Sequence, residues 1–227
     1  MSYLKWNEKT ISDFSEENIN SLYNEGYVFG RPKKGYAYQT RSLRIDLDKF
    51  ELSSENKRIL KKISDLGFQT SDLPHDSYHW SIGKLAKDFY TTKFGDGTFS
   101  ANKVKELLTT EHNFNKLFSF ILRNSEDTGR REDLSESPSI GYSICYENKE
   151  IFHYSYPFYN LESEIKNLGM GMMLLAINYA KENNKKYIYL GSAKDSKATY
   201  KLQFKGLEWF DSEKWSDNVG ELKNILK

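Results

Sequence analysis

Two glycines placed just before a helix-length apolar run constrain this chain more than any other feature. Lys166-Asn167-Leu168-Gly169-Met170-Gly171 reads K-x-x-G-x-G. It follows a strand-like run at 150–158 and a loop at 159–167. A helix is expected from about 170 to 182, with Met173, Leu174, Ile177 and Ala180 on one face. Residues 186–190 then read as a short buried strand ending at Gly191, followed by a short helix at 196–203 and a last strand at 207–210. A strand–loop–helix–strand unit aims the free N–H groups of the helix start at one end of a sheet, where they can bind an anion. Glycines there either let a ligand approach the backbone or simply allow close helix–sheet packing.

The rest of the chain supplies the frame. Ile11, Phe14, Ile19 and Leu22 recur at roughly helical spacing near the N-terminus. Residues 43–50 alternate Leu43, Ile45 and Leu47 with Arg44, Asp46 and Asp48, the period of a half-buried strand, and 31–41 read as a loop. Ser53 or Ser54 is expected to cap a helix carrying Ile59, Leu60, Ile63 and Leu66 and ended by Gly67. Residues 68–80 read as a loop around Pro74, and 81–124 as helical with a break at Gly95–Gly97 and a cap at Ser100. The polar stretch 125–138 reads as a mobile connector. Residues 139–146 and 150–158 form a hairpin signal around Glu147-Asn148-Lys149. The expectation is one α/β domain over 1–227, a twisted mixed sheet flanked by helices, with a helical insertion in 70–135.

Composition narrows the function. The chain has 227 residues and a net charge of +1, so it lacks the overall basicity of a nucleic-acid coat. Mean hydropathy is −0.73 and no apolar run is long enough to span a membrane, which together with the absence of a secretory h-region predicts a cytoplasmic protein without membrane partners. Cys145 is the only cysteine, so no intramolecular disulfide or cysteine-based zinc site can form. His75 and His79 are four residues apart, but Pro74 argues against a helix there and no metal site is expected.

Several residues could carry chemistry. Tyr200, in Ala198-Thr199-Tyr200-Lys201-Leu202-Gln203-Phe204, could give a proton to a leaving group, or could be an ordinary core aromatic. His153 lies on the strand before the glycine loop and is a possible general base or a structural histidine. Arg41, Arg44, Lys57 and Arg58 could meet phosphates or an acidic side chain, or could be a solvated face.

The glycine loop and the tyrosine stretch together resemble the GNAT superfamily of N-acyltransferases over roughly 139–211. A narrower resemblance runs over most of the chain, to aminoacyl-tRNA–protein transferases of the N-degron pathway, which include arginyl- and leucyl-transferases. It rests on Arg44-Ile45, Phe50 with Ser53 and Lys57-Arg58, Asn167-Leu168-Gly169, Tyr187-Ile188-Tyr189-Leu190-Gly191, and Tyr200-Lys201 with Phe204. The resemblance implies transfer of an amino acid from charged tRNA to the N-terminal amine of a protein or peptide. The co-substrate would be aminoacyl-tRNA, with no tightly bound cofactor. It also implies that Lys166, Leu168, Gly169, Met170, Gly171, Tyr189, Gly191 and Lys201 contact the donor, and that Tyr200 and His153 serve the chemistry. Arg41, Arg44, Lys57 and Arg58 would face the acceptor or the tRNA. The chain departs from the family in having no cysteine cluster ahead of the Arg44-Ile45 strand, and Lys166 stands where the wider superfamily has Gln or Arg. Two alternatives stay open: an N-acetyltransferase using acetyl-CoA, and a non-catalytic scaffold that binds RNA or a protein.

Overall fold

Tyrosine, phenylalanine and aliphatic residues supply the strands of a large central sheet. The computed structural model describes residues 4–75, 78–123 and 139–227. In chain order the elements are β1 (Asn7–Thr10), α1 (Glu16–Asn24), β2 (Tyr27–Phe29), β3 (Tyr36–Gln39), β4 (Ser42–Asp46), α2 (Ser54–Lys62), β5 (Leu66–Asp72), α3 (Trp80–Phe94), α4 (Ala101–Thr109) and β6 (Lys116–Leu122). There follow β7 (Ser139–Glu147), β8 (Ile151–His153), β9 (Pro157–Tyr159), α5 (Leu168–Glu182), β10 (Tyr187–Ser192), a 3-10 helix (Ser196–Gln203), β11 (Leu207–Phe210), β12 (Trp215–Ser216) and α6 (Val219–Ile225).

The main sheet runs β12-β11-β4-β10-β8-β7-β6-β5, with β9 also pairing to β7. Its one parallel pair among the described residues is β8 with β10, joined through α5. A parallel pair needs such a crossover because the chain must return to the same end before starting the second strand. This is the mixed, helix-flanked sheet that the sequence predicted. A second, three-stranded sheet runs β1-β3-β2.

Both faces of the main sheet are covered. One carries α2 and α5 over Leu43, Ile45, Phe118, Phe120, Phe152 and Ile188. The other carries α1, α3 and α4 over Leu117, Ile144, Tyr146 and Tyr189. Two-sided burial explains the main departures from the sequence reading. Residues 116–122 are β6, not helix, because Leu117, Phe118, Phe120 and Ile121 are all buried and the period of two is hidden. β4 is not half-buried: Arg44 is as enclosed as its neighbours. The expected loop at 31–41 contains β3, which pairs with both β1 and β2.

Local signals fared well where caps decide. Ser53 caps α2 in a capping box with Asn56, and Ser100 caps α4. Such caps stabilise a helix start by about 1 kcal/mol. Gly67, expected to end α2, instead lies within β5; the helix closes at Ile63 without a glycine. His79 caps α3 by accepting from the Ser81 N–H, which gives it a structural task. The expected connector at 125–138 lies outside the described residues.

Candidate active site

β8 and β10 run side by side through Tyr189↔His153 and then part. The last link between them is the Tyr154 N–H donating to the Tyr189 carbonyl at 3.0 Å. Beyond it β8 turns at Tyr156, whose φ is +31°, into β9, which folds back on β7. β10 bulges between Tyr189 and Ser192 before regaining its pairing with β4. Gly191 sits in that bulge at φ +75°, a left-handed conformation that glycine adopts without strain. The result is a V-shaped opening at the C-terminal end of the parallel pair, where sheets of this kind bind ligands.

Cations are tied to one arm of the V. Lys201 Nζ donates to the Leu190 carbonyl at 2.7 Å and the Ser192 carbonyl at 3.4 Å. Arg41 Nη1 donates to the Ala193 carbonyl at 3.3 Å, while its enclosed Nε has no hydrogen-bond partner. Lys201 is half-buried as a side chain, yet desolvation of its ammonium lowers its pKa to about 8. Desolvation also lowers the pKa of Arg41. No carboxylate lies against either cation among the described residues.

Phenols line the other arm. Tyr200 is 49% exposed, with its ring 5.9 Å from the Lys201 ammonium. Burial of its hydroxyl raises its pKa to about 12, with a smaller contribution from Tyr159. The Tyr159 ring in turn lies directly over Gly169 at the start of α5, where a Cβ would come within 2.9 Å of it. Tyr159 thus packs on the first turn of α5. Gln203 Nε2 closes the same corner with a 3.8 Å contact to Met170 Sδ.

The glycine loop does less than its pattern suggested. Asn167 precedes α5 in the left-handed region and no side chain caps the helix, so its first N–H groups are left to other partners. Gly171, however, is covered by the Ile63 side chain, which a Cβ would meet at 2.7 Å. Both glycines are taken up by packing, Gly169 under Tyr159 and Gly171 under α2, and Leu168 is buried. Lys166 is exposed beside them.

Four further expectations need correction. His153 is unsuited to act as a general base. It is 2% exposed, and burial plus the nearby Lys201 charge lowers its pKa to about 3. Its Nδ1 lies 2.9 Å from the Tyr23 hydroxyl, which also accepts from the Phe29 N–H at 3.4 Å. The Tyr23 hydroxyl and Nδ1 share one hydrogen bond whose direction is set by the imidazole tautomer. Arg44 is consumed internally. It is stacked between Tyr187 and Trp215 at 3.9 and 4.0 Å, and donates to Glu208 at 2.8 Å, to Asn24 at 3.1 Å and to the Tyr189 hydroxyl at 3.4 Å. Tyr189 is wholly buried and shares that structural task. Arg58 forms a two-pronged pair with Glu55 on exposed α2, away from the arms of the V. Lys57 is exposed on the same helix, whose Asn56 bonds Gln203 at 3.2 Å.

Sequence reasoning missed Tyr23, Tyr154 and Tyr159. The density of tyrosine in His153-Tyr154-Ser155-Tyr156-Pro157-Phe158-Tyr159 was a signal, but only the turn at Tyr156 reveals which phenols reach the opening.

The site is therefore an opening in a mixed, helix-flanked sheet where two parallel strands part, beside a helix start without a side-chain cap and a tyrosine on the following helix. Residues 105–211 match the family described as "Arginine-tRNA-protein transferase, C terminus". It is 24% identical to an aspartate/glutamate leucyltransferase of Pseudoalteromonas atlantica over 94% of this chain and 92% of that protein. A second aspartate/glutamate leucyltransferase, from Saccharophagus degradans, is 23% identical over 76% of this chain and 69% of its own length. Among solved structures, L-PGS from Bacillus licheniformis aligns with a TM-score of 0.48 at 12% identity, covering 93% of this chain and 70% of that one. FemX aligns with a TM-score of 0.47 at 12% identity, covering 80% and 61%. Among the described residues, no helix is long and apolar enough to cross a membrane.

Proposed function

We propose that this aminoacyl-tRNA-dependent transferase moves a leucyl group from charged tRNA to proteins whose N-terminal residue is aspartate or glutamate. The observation that carries the reading is the charge of the opening. Arg41 and Lys201 are desolvated cations bound to adjacent carbonyls, and among the described residues no carboxylate accompanies them. Such a site favours an anionic acceptor side chain and the phosphates of a tRNA terminus, and disfavours a cationic donor side chain such as arginine. The leucyltransferase relative that is similar over 94% of this chain supports the same choice.

In this reading Arg41 pairs with the acceptor carboxylate, its partnerless Nε being a donor in waiting. The neutral α-amine attacks the ester carbonyl carbon, the carbon–ribose oxygen bond breaks, and the amine proton ends on the ribose oxygen. Tyr200, still protonated at neutral pH because its pKa is about 12, hands the leaving oxygen a proton and recovers one from the amine. Lys201 offsets the negative charge that develops there. Holding amine and ester together supplies most of the acceleration. Exposed Lys57 and Lys166 flank the corner as phosphate contacts. A neutral His153 orients the opening through Tyr23 rather than exchanging protons.

The test is label transfer from leucyl- and arginyl-tRNA to peptides beginning with Asp, Glu, Ala or Lys. Leucine should be transferred to the Asp and Glu peptides. Arginine transfer, or equal labelling of the Lys peptide, would remove the donor or acceptor assignment.

A further inference from the structure

Tyr154 is the first residue past the last bridge between β8 and β10, so it stands at the apex of the V. Its side chain is 3% exposed, and no group among the described residues hydrogen-bonds its hydroxyl. By contrast, the Tyr23 hydroxyl lies 2.9 Å from His153 Nδ1, and Tyr90 donates to the Pro157 carbonyl at 3.2 Å. A buried hydroxyl without a partner is a destabilising feature that folded proteins rarely keep for structural reasons. Burial raises the pKa of the Tyr154 phenol well above its ordinary value, with smaller contributions from Cys145, Tyr200, Tyr90 and Tyr159. Tyr154 belongs to the apolar core cluster that also holds Phe118, Cys145, Phe152 and Met172. Nothing on that side competes for the proton, and burial keeps the phenol un-ionised.

We propose that the Tyr154 hydroxyl is a catalytic hydrogen-bond donor to the carbonyl oxygen of the aminoacyl ester. This deepens, and rests on, the aminoacyl-transfer reading. When the acceptor nitrogen bonds to the carbonyl carbon, the carbonyl π pair moves onto oxygen and the tetrahedral adduct carries the charge there. The phenol donates to that oxygen without transferring its proton. The pair then returns, the carbon–ribose oxygen bond breaks, and the proton balance is that already given for Tyr200. A donor fixed in a dry, packed site needs no reorganisation as the charge develops.

The experiment is Tyr154→Phe in the full chain, compared with wild type in leucyl transfer to an Asp-initiated peptide and in thermal unfolding. The expected result is a fall in kcat on the order of a hundredfold, a peptide KM within about twofold of wild type, and an unchanged or higher Tm. The split matters, because a structural hydroxyl would lower Tm and a water-bonded one would leave kcat alone. An active wild type with an unchanged kcat in the variant overturns the Tyr154 assignment by itself. A variant that unfolds, or whose Tm falls, also overturns it, because the hydroxyl then has a structural partner. A wild type that transfers from no aminoacyl-tRNA overturns the underlying reading and this inference together.

Discussion

Replacing Lys201 with arginine should abolish the alkaline limb of the transfer rate. Lys201 has a pKa near 8 because its ammonium is desolvated against the Leu190 and Ser192 carbonyls. The drop from 10.5 corresponds to about 3 kcal/mol against the charged form. A lowered folded-state pKa means that Lys201 adds stability above pH 10.5 and that this contribution is lost as pH falls towards 8. The charge at neutral pH is therefore held at a cost, which function must justify. The acceptor α-amine must be neutral to attack, and its ordinary pKa is about 7.7–8.0. Activity follows the product of neutral amine and charged lysine. That product peaks near pH 8 and falls about threefold one unit away and about 25-fold two units away. Arginine stays charged throughout, so Lys201→Arg should keep the acid limb and reach a plateau above about pH 8. Lys201→Met should lose activity at all pH values. The assay is the initial rate of labelled leucine transfer from pH 6 to 10, with uncatalysed ester hydrolysis subtracted. A wild-type profile that stays flat above pH 9, or an alkaline limb that survives in Lys201→Arg, would refute the charge role.

Other outcomes can be read directly from the contacts. Arg44→Ala should cost about 3–5 kcal/mol in denaturant unfolding, because it empties a buried stack and leaves the largely buried Glu208 with only the exposed Lys49 at 3.5 Å; a loss under 1 kcal/mol would show the ion pair to be dispensable. His153 favours its neutral form in the fold, so its contribution is complete above pH 6.5 and declines as pH falls towards 3. Its slope approaches about 1.4 kcal/mol per pH unit within that window, and His153→Gln, which can still accept from Tyr23, should flatten the pH dependence of unfolding. Gly169→Ala should push the Tyr159 ring off the start of α5 and reduce kcat while leaving Tm nearly unchanged, and full activity would show that the ring position is irrelevant. Arg41→Met should raise KM for Asp- and Glu-initiated peptides at least tenfold, and an equal effect on KM for tRNA would assign Arg41 to the donor instead.

Much of the frame was legible from local pattern. The hairpin of β7 and β8, the helix α5, the strand β10 and the caps at Ser53 and Ser100 all follow from short-range chemistry: turn residues, apolar spacing and hydroxyls that accept helix N–H bonds. The glycine loop is packed against Tyr159, a residue the local pattern did not single out. β3 and β6 were missed because each is covered on both sides or paired with two strands, so neither displays the period that betrays a surface strand.

The division is clearest at three positions. Residue order alone determined that a helix would start near Gly169, that a tyrosine and a lysine would follow it at 200 and 201, and that no cysteine site could form. Tertiary structure decided what those groups do. Arg41 and Arg44 lie three residues apart, yet one ends against a carbonyl at the opening and the other is sealed between two rings. His153 and Tyr154 are neighbours on one strand, so their side chains leave opposite faces, one to a phenol partner and one to the apex. Burial, charge and hydrogen-bond partners arise from residues far apart in the chain, and a pKa or a catalytic role depends on that assembled surrounding rather than on the residue itself.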